Sequence, residues 1–77
     1  MNYKDFITQA IEASLTIKNI TGDYTFTCQV SEANYGYRIS YKTKIDGKTF
    51  AGVVPVTVDL AESLKLPIED FELTVAA

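Results

Sequence analysis

The sequence predicts an α+β fold, a two-layer sandwich in which an N-terminal helix packs on a three-stranded antiparallel meander, followed by a short helix and a C-terminal strand. Two patterns carry this prediction. Apolar residues recur at helical spacing over residues 3–14, with Asn2 as the N-cap. The sequence leaves open whether the helix continues through Leu15 and Ile17 or residues 16–20 are extended, before a break at residues 21–23. The dipeptide Asp46-Gly47 separates two stretches in which apolar and polar residues alternate, as they do in a β-hairpin. Packing the apolar stripe of the helix on the apolar face of the hairpin buries both.

The Asp46-Gly47 turn sets the register of a hairpin that runs from Gly36 to Val56. Asp-Gly suits the two positive-φ positions of a type I′ turn, so we expect a two-residue loop with Ile45 opposite Lys48. In that register one face is apolar and aromatic, with Tyr37, Ile39, Tyr41, Thr43, Phe50, Gly52, Val54 and Val56. The other face has the composition of a sheet surface in water, with Arg38, Ser40, Lys42, Lys44, Thr49, Ala51 and Val53.

The segment Tyr24–Val30 also alternates, which predicts a strand before the hairpin. We expect Val30 to lie opposite Tyr37 across a loop at residues 31–36. This pairing puts the apolar residues of all three strands on one face and completes the meander.

A short helix and a last strand follow the meander. Asp59 is a good N-cap and Glu62 stands three residues later, so we expect a helix from Leu60 to about Leu66. Alternation then resumes and predicts a half-buried strand, whose apolar positions are Phe71, Leu73 and Val75. The sequence leaves open whether this strand pairs beside residues 24–30 or beside residues 50–56, and whether it pairs within its own chain.

The composition argues against catalysis. The 77 residues make one small domain, and they contain no histidine, the commonest general base and transition-metal ligand. The single cysteine, Cys28, is expected to be a small buried hydrophobe, and the scattered glycines form no phosphate-binding loop. We expect no enzymatic activity, no cofactor and no metal site. With no leader and no apolar run long enough to cross a bilayer, we also expect a cytoplasmic protein without a membrane partner.

The formal net charge is −3, but the charges are unevenly distributed along the chain. Residues 36–50 are basic, and three cations project from alternate positions of one strand on the exposed hairpin face: Arg38, Lys42 and Lys44. Residues 51–77 are acidic, and the carboxylates that we select as binding candidates are Glu62, Glu69, Asp70 and Glu72.

The acidic third leads to the first functional hypothesis, a non-enzymatic protein-binding module. Its carboxylates, set among apolar residues, can face a basic partner surface such as the nucleic-acid channel of another protein. In size and charge the chain resembles phage-encoded inhibitors, including those directed at bacterial nucleases. The resemblance implies an inhibitor or accessory protein from a phage or mobile element that occupies its partner's binding surface.

Two other hypotheses remain open. The basic hairpin face can bind nucleic acid, with Arg38, Lys42 and Lys44 on phosphates and Tyr35 stacked on a base. The same cations can instead serve only to keep an exposed sheet surface soluble. A third possibility is a homodimeric structural subunit that pairs a free strand edge with a second copy.

The order helix, meander, helix resembles the double-stranded RNA-binding domain across most of the chain, at the level of topology. That resemblance implies contacts from the first helix, from the loop between the first two strands and from a lysine-rich start of the last helix. Here the last helix begins Asp59-Leu60-Ala61-Glu62, and the loop at residues 31–36 contains neither histidine nor lysine.

Overall fold

The computed structural model describes residues 2–76 and confirms the α+β fold. Along the chain, a three-stranded antiparallel meander follows the first helix and precedes the second, and a C-terminal strand joins the same sheet. The elements are α1 (Tyr3–Ile17), β1 (Asp23–Ala33), β2 (Gly36–Ile45), β3 (Lys48–Thr57), α2 (Val58–Leu64) and β4 (Phe71–Ala76). No helix within residues 2–76 is long and apolar enough to span a membrane.

The four strands are ordered β3-β2-β1-β4, and every neighbouring pair is antiparallel. The C-terminal strand therefore pairs with β1 of its own chain, where Phe26 lies opposite Leu73 and Tyr24 opposite Val75. This placement decides between the two docking sites that the sequence left open. It also makes β3 and β4 the two edges of the sheet.

The β2–β3 hairpin has the predicted register. Ile45 lies opposite Lys48, and Tyr41 lies opposite Gly52. Asp46 and Gly47 have φ angles of 52° and 80°, the two positive values that a type I′ turn requires.

The predicted register between β1 and β2 was wrong by two residues. Val30 lies opposite Ile39, not Tyr37, because β1 continues to Ala33 and the connection is a tight turn at Asn34-Tyr35. Gly36, expected at the end of a loop, begins β2 with a φ of 151°, and a Cβ there would overlap the Val56 carbonyl oxygen. A shift of two residues preserves the face of every side chain, so the apolar face is the predicted one.

Helix α1 begins at the predicted cap, and the structure shows where it ends, which the sequence left open after residue 14. The Asp5 backbone N–H donates to Asn2 Oδ1 at 2.8 Å. The helix passes residue 14 and continues to Ile17, because Leu15 extends the apolar stripe and is fully buried. Lys18 is the C-cap, and the next residue, Asn19, has a left-handed φ of 55° that prevents the helix from continuing.

Helix α2 is capped by Thr57 and not by Asp59 as predicted. The Leu60 backbone N–H donates to Thr57 Oγ1 at 3.2 Å, while Asp59 already lies in the first helical turn. The cap comes early because β3 runs directly into α2, with no connecting loop between them. The helix ends at Leu64, ahead of the predicted Leu66, because Lys65 adopts a left-handed conformation with φ 56°.

The core lies between the helices and one face of the sheet. Phe26 is at its centre, with its ring edge-to-face against Tyr41 at a centroid separation of 5.7 Å. The Tyr41 hydroxyl reaches α1 and hydrogen-bonds Ser14 Oγ at 3.1 Å. The buried side chains are Ile7, Ile11, Leu15, Phe26, Cys28, Ile39, Tyr41, Val54, Val56, Ala61, Leu64, Leu73 and Val75.

Candidate protein-binding surface

The open face of the sheet, opposite the helices, carries charges of both signs. Arg38, Lys42 and Lys44 are exposed there, as predicted from their alternation along β2. The docking of β4 on β1 brings Glu72 to the same face, because Glu72 lies opposite Thr27 and Thr27 lies opposite Lys42. The Glu72 carboxylate lies two strands away from Lys42, and it weakens the positive electrostatic potential that the three cations produce.

Hydroxyl side chains separate these charges. Thr25 Oγ1 and Thr74 Oγ1 are 3.3 Å apart across the β1–β4 pair, and Thr27, Ser40 and Thr49 line shallow depressions nearby. In each of the four strands, every second side chain points to the open face, and none of these side chains is aromatic. The open face therefore lacks the stacking platform that single-stranded nucleic-acid binding commonly uses.

A second surface lies at the end of the sheet where β1 turns into β2. Three shallow depressions meet there and share Tyr37 as a common wall. Tyr35 is 87% exposed, Ile68 65% and Val58 48%. We call this surface the Tyr37 end and define it by five residues: Tyr35, Tyr37, Val58, Leu66 and Ile68.

Three separate segments build the Tyr37 end. The turn at Asn34-Tyr35 places Tyr35 at the tip of the meander and Tyr37 just inside it. The direct passage from β3 into α2 brings Val58 alongside Tyr37. The left-handed Lys65 then reverses the chain after α2, so that Leu66 and Ile68 line the same depression.

Acidic side chains predominate around the Tyr37 end. Glu32 and Glu62 line its depressions, and the exposed Glu69 and Asp70 follow Ile68 directly in sequence. Two cations balance them in part, and these are Arg38 and Lys65. An apolar centre with a charged rim is the usual arrangement of a protein–protein interface.

The eight binding candidates chosen from sequence do not form one site. Tyr35 and Glu62 line the Tyr37 end, Arg38 lines it from the border of the open face, and Glu69 and Asp70 lie in the connector beside it. The other three are on the open face of the sheet: Lys42, Lys44 and Glu72.

Sequence reasoning missed the apolar part of this surface. Tyr37 was assigned to the core because it shares the apolar face of the hairpin, but it is only half-buried. Val58 and Ile68 flank α2 and fit no alternating pattern, and isolated exposed hydrophobic residues are common in any soluble domain. Only the fold shows that Tyr37, Val58 and Ile68 line the same depression.

Cys28 is not part of either surface. Its side chain is fully buried, and desolvation raises the pKa of its thiol from 9.0 to about 11. The thiol is therefore protonated and shielded from solvent at neutral pH in the folded chain. Within residues 2–76, no three histidine, cysteine, aspartate or glutamate side chains are grouped so that they could hold a metal ion.

The chain matches no protein-family model, no curated protein and no solved structure.

Proposed function

We propose that this chain is a non-enzymatic protein-binding module that docks through the Tyr37 end. The observation that carries this proposal is that the exposed side chains of Tyr35, Val58 and Ile68, from three segments of the chain, line adjacent depressions that share Tyr37 as a wall. Exposed apolar clusters with a polar rim are typical of protein interaction sites. Tyr35 is the expected anchor, because tyrosine and arginine are enriched among residues that dominate binding energy.

The charges around the Tyr37 end indicate the chemistry of the partner. Glu32, Glu62, Glu69 and Asp70 outnumber the two nearby cations, so a complementary partner surface is basic around an apolar centre. Nucleic-acid-binding surfaces of proteins combine positive charge with exposed aromatic rings. We propose that the module acts as an inhibitor or accessory protein by occupying a surface of this kind.

The first test compares variants of the chain as affinity bait. Tyr35→Ser/Ile68→Ser should lose partner proteins that the wild type retains from a lysate of cells that express the chain. Ile17→Ser is the matched control, because Ile17 is 83% exposed but ends α1, at the opposite end of β1 from Tyr35. Retention that is equal for the wild type and the Tyr35/Ile68 variant contradicts the proposal.

The second test asks whether the rim acts through charge. With a partner recovered in the first test and then purified, Glu69→Lys/Asp70→Lys should weaken binding, and added salt should weaken it further. Lys42→Glu/Lys44→Glu should leave the affinity unchanged, because both lysines lie on the open face.

A nucleic-acid titration separates the alternative function. The isotopically labelled chain is followed by amide-resolved NMR while mixed duplex and single-stranded nucleic acid are added at low and then physiological salt. The proposal predicts no shifts. Shifts confined to Tyr35, Arg38, Lys42 and Lys44 that fade as salt rises would overturn it in favour of phosphate binding.

A further inference from the structure

Strand β4 is shorter than β1 and covers only part of its outer edge. β1 has eleven residues and β4 has six, and the pairing between them stops at Cys28 and Phe71. The residues of β1 beyond that point, 29–33, therefore have a neighbouring strand only on the β2 side. We call residues 29–33 the β1 notch, because β4 closes one end and the Asn34-Tyr35 turn closes the other.

The register shows which backbone groups are free in the β1 notch. The two-residue turn makes Ala33 and Gly36 a hydrogen-bonded pair, so every second residue of β1 back from Ala33 exchanges bonds with β2. Val30 and Glu32 lie between those residues and point their N–H and C=O groups away from β2. Within residues 2–76, no backbone hydrogen bond joins either residue to the connector after α2. Two donors and two acceptors are therefore open to a further strand.

The β1 notch is continuous with the Tyr37 end. Glu32 and Ala33 line the same depression as Tyr35, Tyr37 and Val58. Glu32 also lies directly opposite Tyr37 in the β1–β2 pair. A partner that docks on the Tyr37 end therefore borders the free backbone groups of the notch.

The charges around the β1 notch indicate what occupies it. Glu32 is exposed within the notch, and the exposed Glu69 and Asp70 immediately precede β4, where the notch ends. Arg38 is the cation on the adjacent part of β2, but it lies opposite Ser31 and points to the open face. Carboxylates therefore predominate on the helix side of the notch, and a positively charged segment complements them.

We propose that the β1 notch takes up an extended basic segment of the protein partner, which adds to the sheet as a strand antiparallel to β1. This inference rests on the proposed function, because the segment belongs to the partner that docks on the Tyr37 end. The segment's residues opposite Val30 and Glu32 exchange both backbone hydrogen bonds and point to the helix side. A lysine or arginine suits the position opposite Glu32, and an apolar residue suits the position opposite Val30. The following residue lies beside Glu69 and Asp70, so it is basic as well.

A second copy of this chain fits the β1 notch poorly. Antiparallel pairing about a two-fold axis at Ser31 would place Glu32 of each copy opposite Val30 of the other. Each Glu32 would then approach Glu69 and Asp70 of the other copy, and like charges repel. The phosphates of a nucleic acid would meet the same carboxylates. A basic polypeptide is the occupant that the charges favour.

A peptide titration tests the notch directly. The probe is acetyl-Arg-Lys-Thr-Val-Lys-amide, which in the proposed register has its first lysine opposite Glu32 and its valine opposite Val30. Amide-resolved NMR of the isotopically labelled chain should show shifts at both residues as millimolar peptide is added. Hydrogen exchange of both amides should slow about tenfold once the peptide exceeds its dissociation constant by about tenfold. Thr49 and Ala51, whose amides point outward on the β3 edge, should not change.

Three outcomes of the titration overturn the proposal. One is the absence of shifts and protection at Val30 and Glu32, and another is equal binding of the acidic analogue acetyl-Glu-Glu-Thr-Val-Glu-amide. The third is a set of shifts at both amides that grows with the concentration of the chain alone, which assigns the notch to a second copy.

Two variants of Glu32 separate backbone pairing from charge. Glu32→Pro should weaken peptide binding at least about fivefold, because proline removes an outward donor without breaking a bond to β2. Glu32→Gln keeps the donor and should weaken binding about two- to fivefold. Ala51→Pro is the matched control, since Ala51 has the same outward position on β3, and it should bind as the wild type does. Circular dichroism verifies that each variant is folded, and a folded Glu32→Pro chain with wild-type affinity overturns the proposal.

The notch and the protein-binding function can fail separately. If Tyr35→Ser/Ile68→Ser loses the partner proteins and Glu32→Pro retains them, the Tyr37 end binds protein and the notch inference is wrong. If both variants lose them, both proposals are supported. If Tyr35→Ser/Ile68→Ser retains them as the wild type does, the proposed function is wrong, and the peptide titration still decides whether the notch binds a basic strand.

Discussion

Gly52→Ala is expected to destabilise the fold far more than a single methyl group on an edge strand ordinarily does. Gly52 faces the helix side of the sheet, directly beneath the ring of Tyr41. A Cβ there would overlap the Tyr41 hydroxyl oxygen and Cζ, and would lie 3.0 Å from Cε1. The ring is buried between Phe26 and α1, where its hydroxyl hydrogen-bonds Ser14, so it moves only by breaking those contacts.

The magnitude follows from these contacts. Overpacking a buried site costs about 1–3 kcal/mol. Loss of the hydrogen bond between Tyr41 and Ser14 costs about 1 kcal/mol more. Alanine returns about 0.5–1 kcal/mol relative to glycine within a strand. The free energy of unfolding should therefore fall by about 2 kcal/mol, which in a domain of this size lowers Tm by about 10 °C.

Urea unfolding followed by circular dichroism measures the change, and two variants separate its causes. Gly47→Ala is the control for backbone strain, because Gly47 has a φ of 80° but no atom within 4 Å of an added Cβ. A Tyr41→Phe background lacks both the hydrogen bond and the overlapping hydroxyl oxygen, so the penalty for Gly52→Ala should shrink by at least about 1 kcal/mol. The penalty for Gly47→Ala should not change. A Gly52→Ala chain within about 0.5 kcal/mol of wild type would refute the reasoning.

Three further substitutions probe local features of the fold. Thr57→Ala should cost about 1 kcal/mol in urea unfolding, whereas Asp59→Ala should cost less, because only Thr57 caps α2. Leu15→Ala should cost about 2–5 kcal/mol and Ile17→Ala less than about 0.5 kcal/mol, since only Leu15 is buried. The pKa of the Cys28 thiol is raised from 9.0 to about 11 by burial, so the unfolded chain releases this proton first and stability falls as pH rises from 9.0 toward about 11. Unfolding curves across that range should show a steeper fall for the wild type than for Cys28→Ala.

Local sequence determined much of the fold. Asp46-Gly47 prescribes both the turn type and the loop length, and the register from Ile45–Lys48 onward follows from geometry. Asn34-Tyr35 carries no comparable turn preference. The β1–β2 register was therefore predicted from the alternating pattern alone, and it was wrong by two residues. Asp59, the predicted cap of α2, has an intrinsic capping preference at least as high as that of Thr57, the observed cap. The position of the cap was decided by how far β3 extends, which is a property of the sheet.

The surfaces depended on contacts that no local pattern encodes. Glu72 reaches the open face only because β4 pairs with β1, and the sequence left that pairing open. The Tyr37 end needs the β1–β2 turn, the β3–α2 junction and the connector after α2 to meet. Alternation identifies which residues of a strand share a face. It does not reveal which side chains from distant segments meet at the end of a sheet.

The pairing of β4 with β1 also has a consequence for the order of assembly. The strands of the meander are joined by two tight turns, whereas β1 and β4 pair residues as far apart in sequence as Asp23 and Ala76. Closing that long loop is entropically the most demanding step, so we expect β4 to dock last and to detach first. Cys28 lies on this seam, opposite Phe71. The rate at which a thiol reagent modifies Cys28 in the native chain should therefore report how often the C-terminal strand detaches.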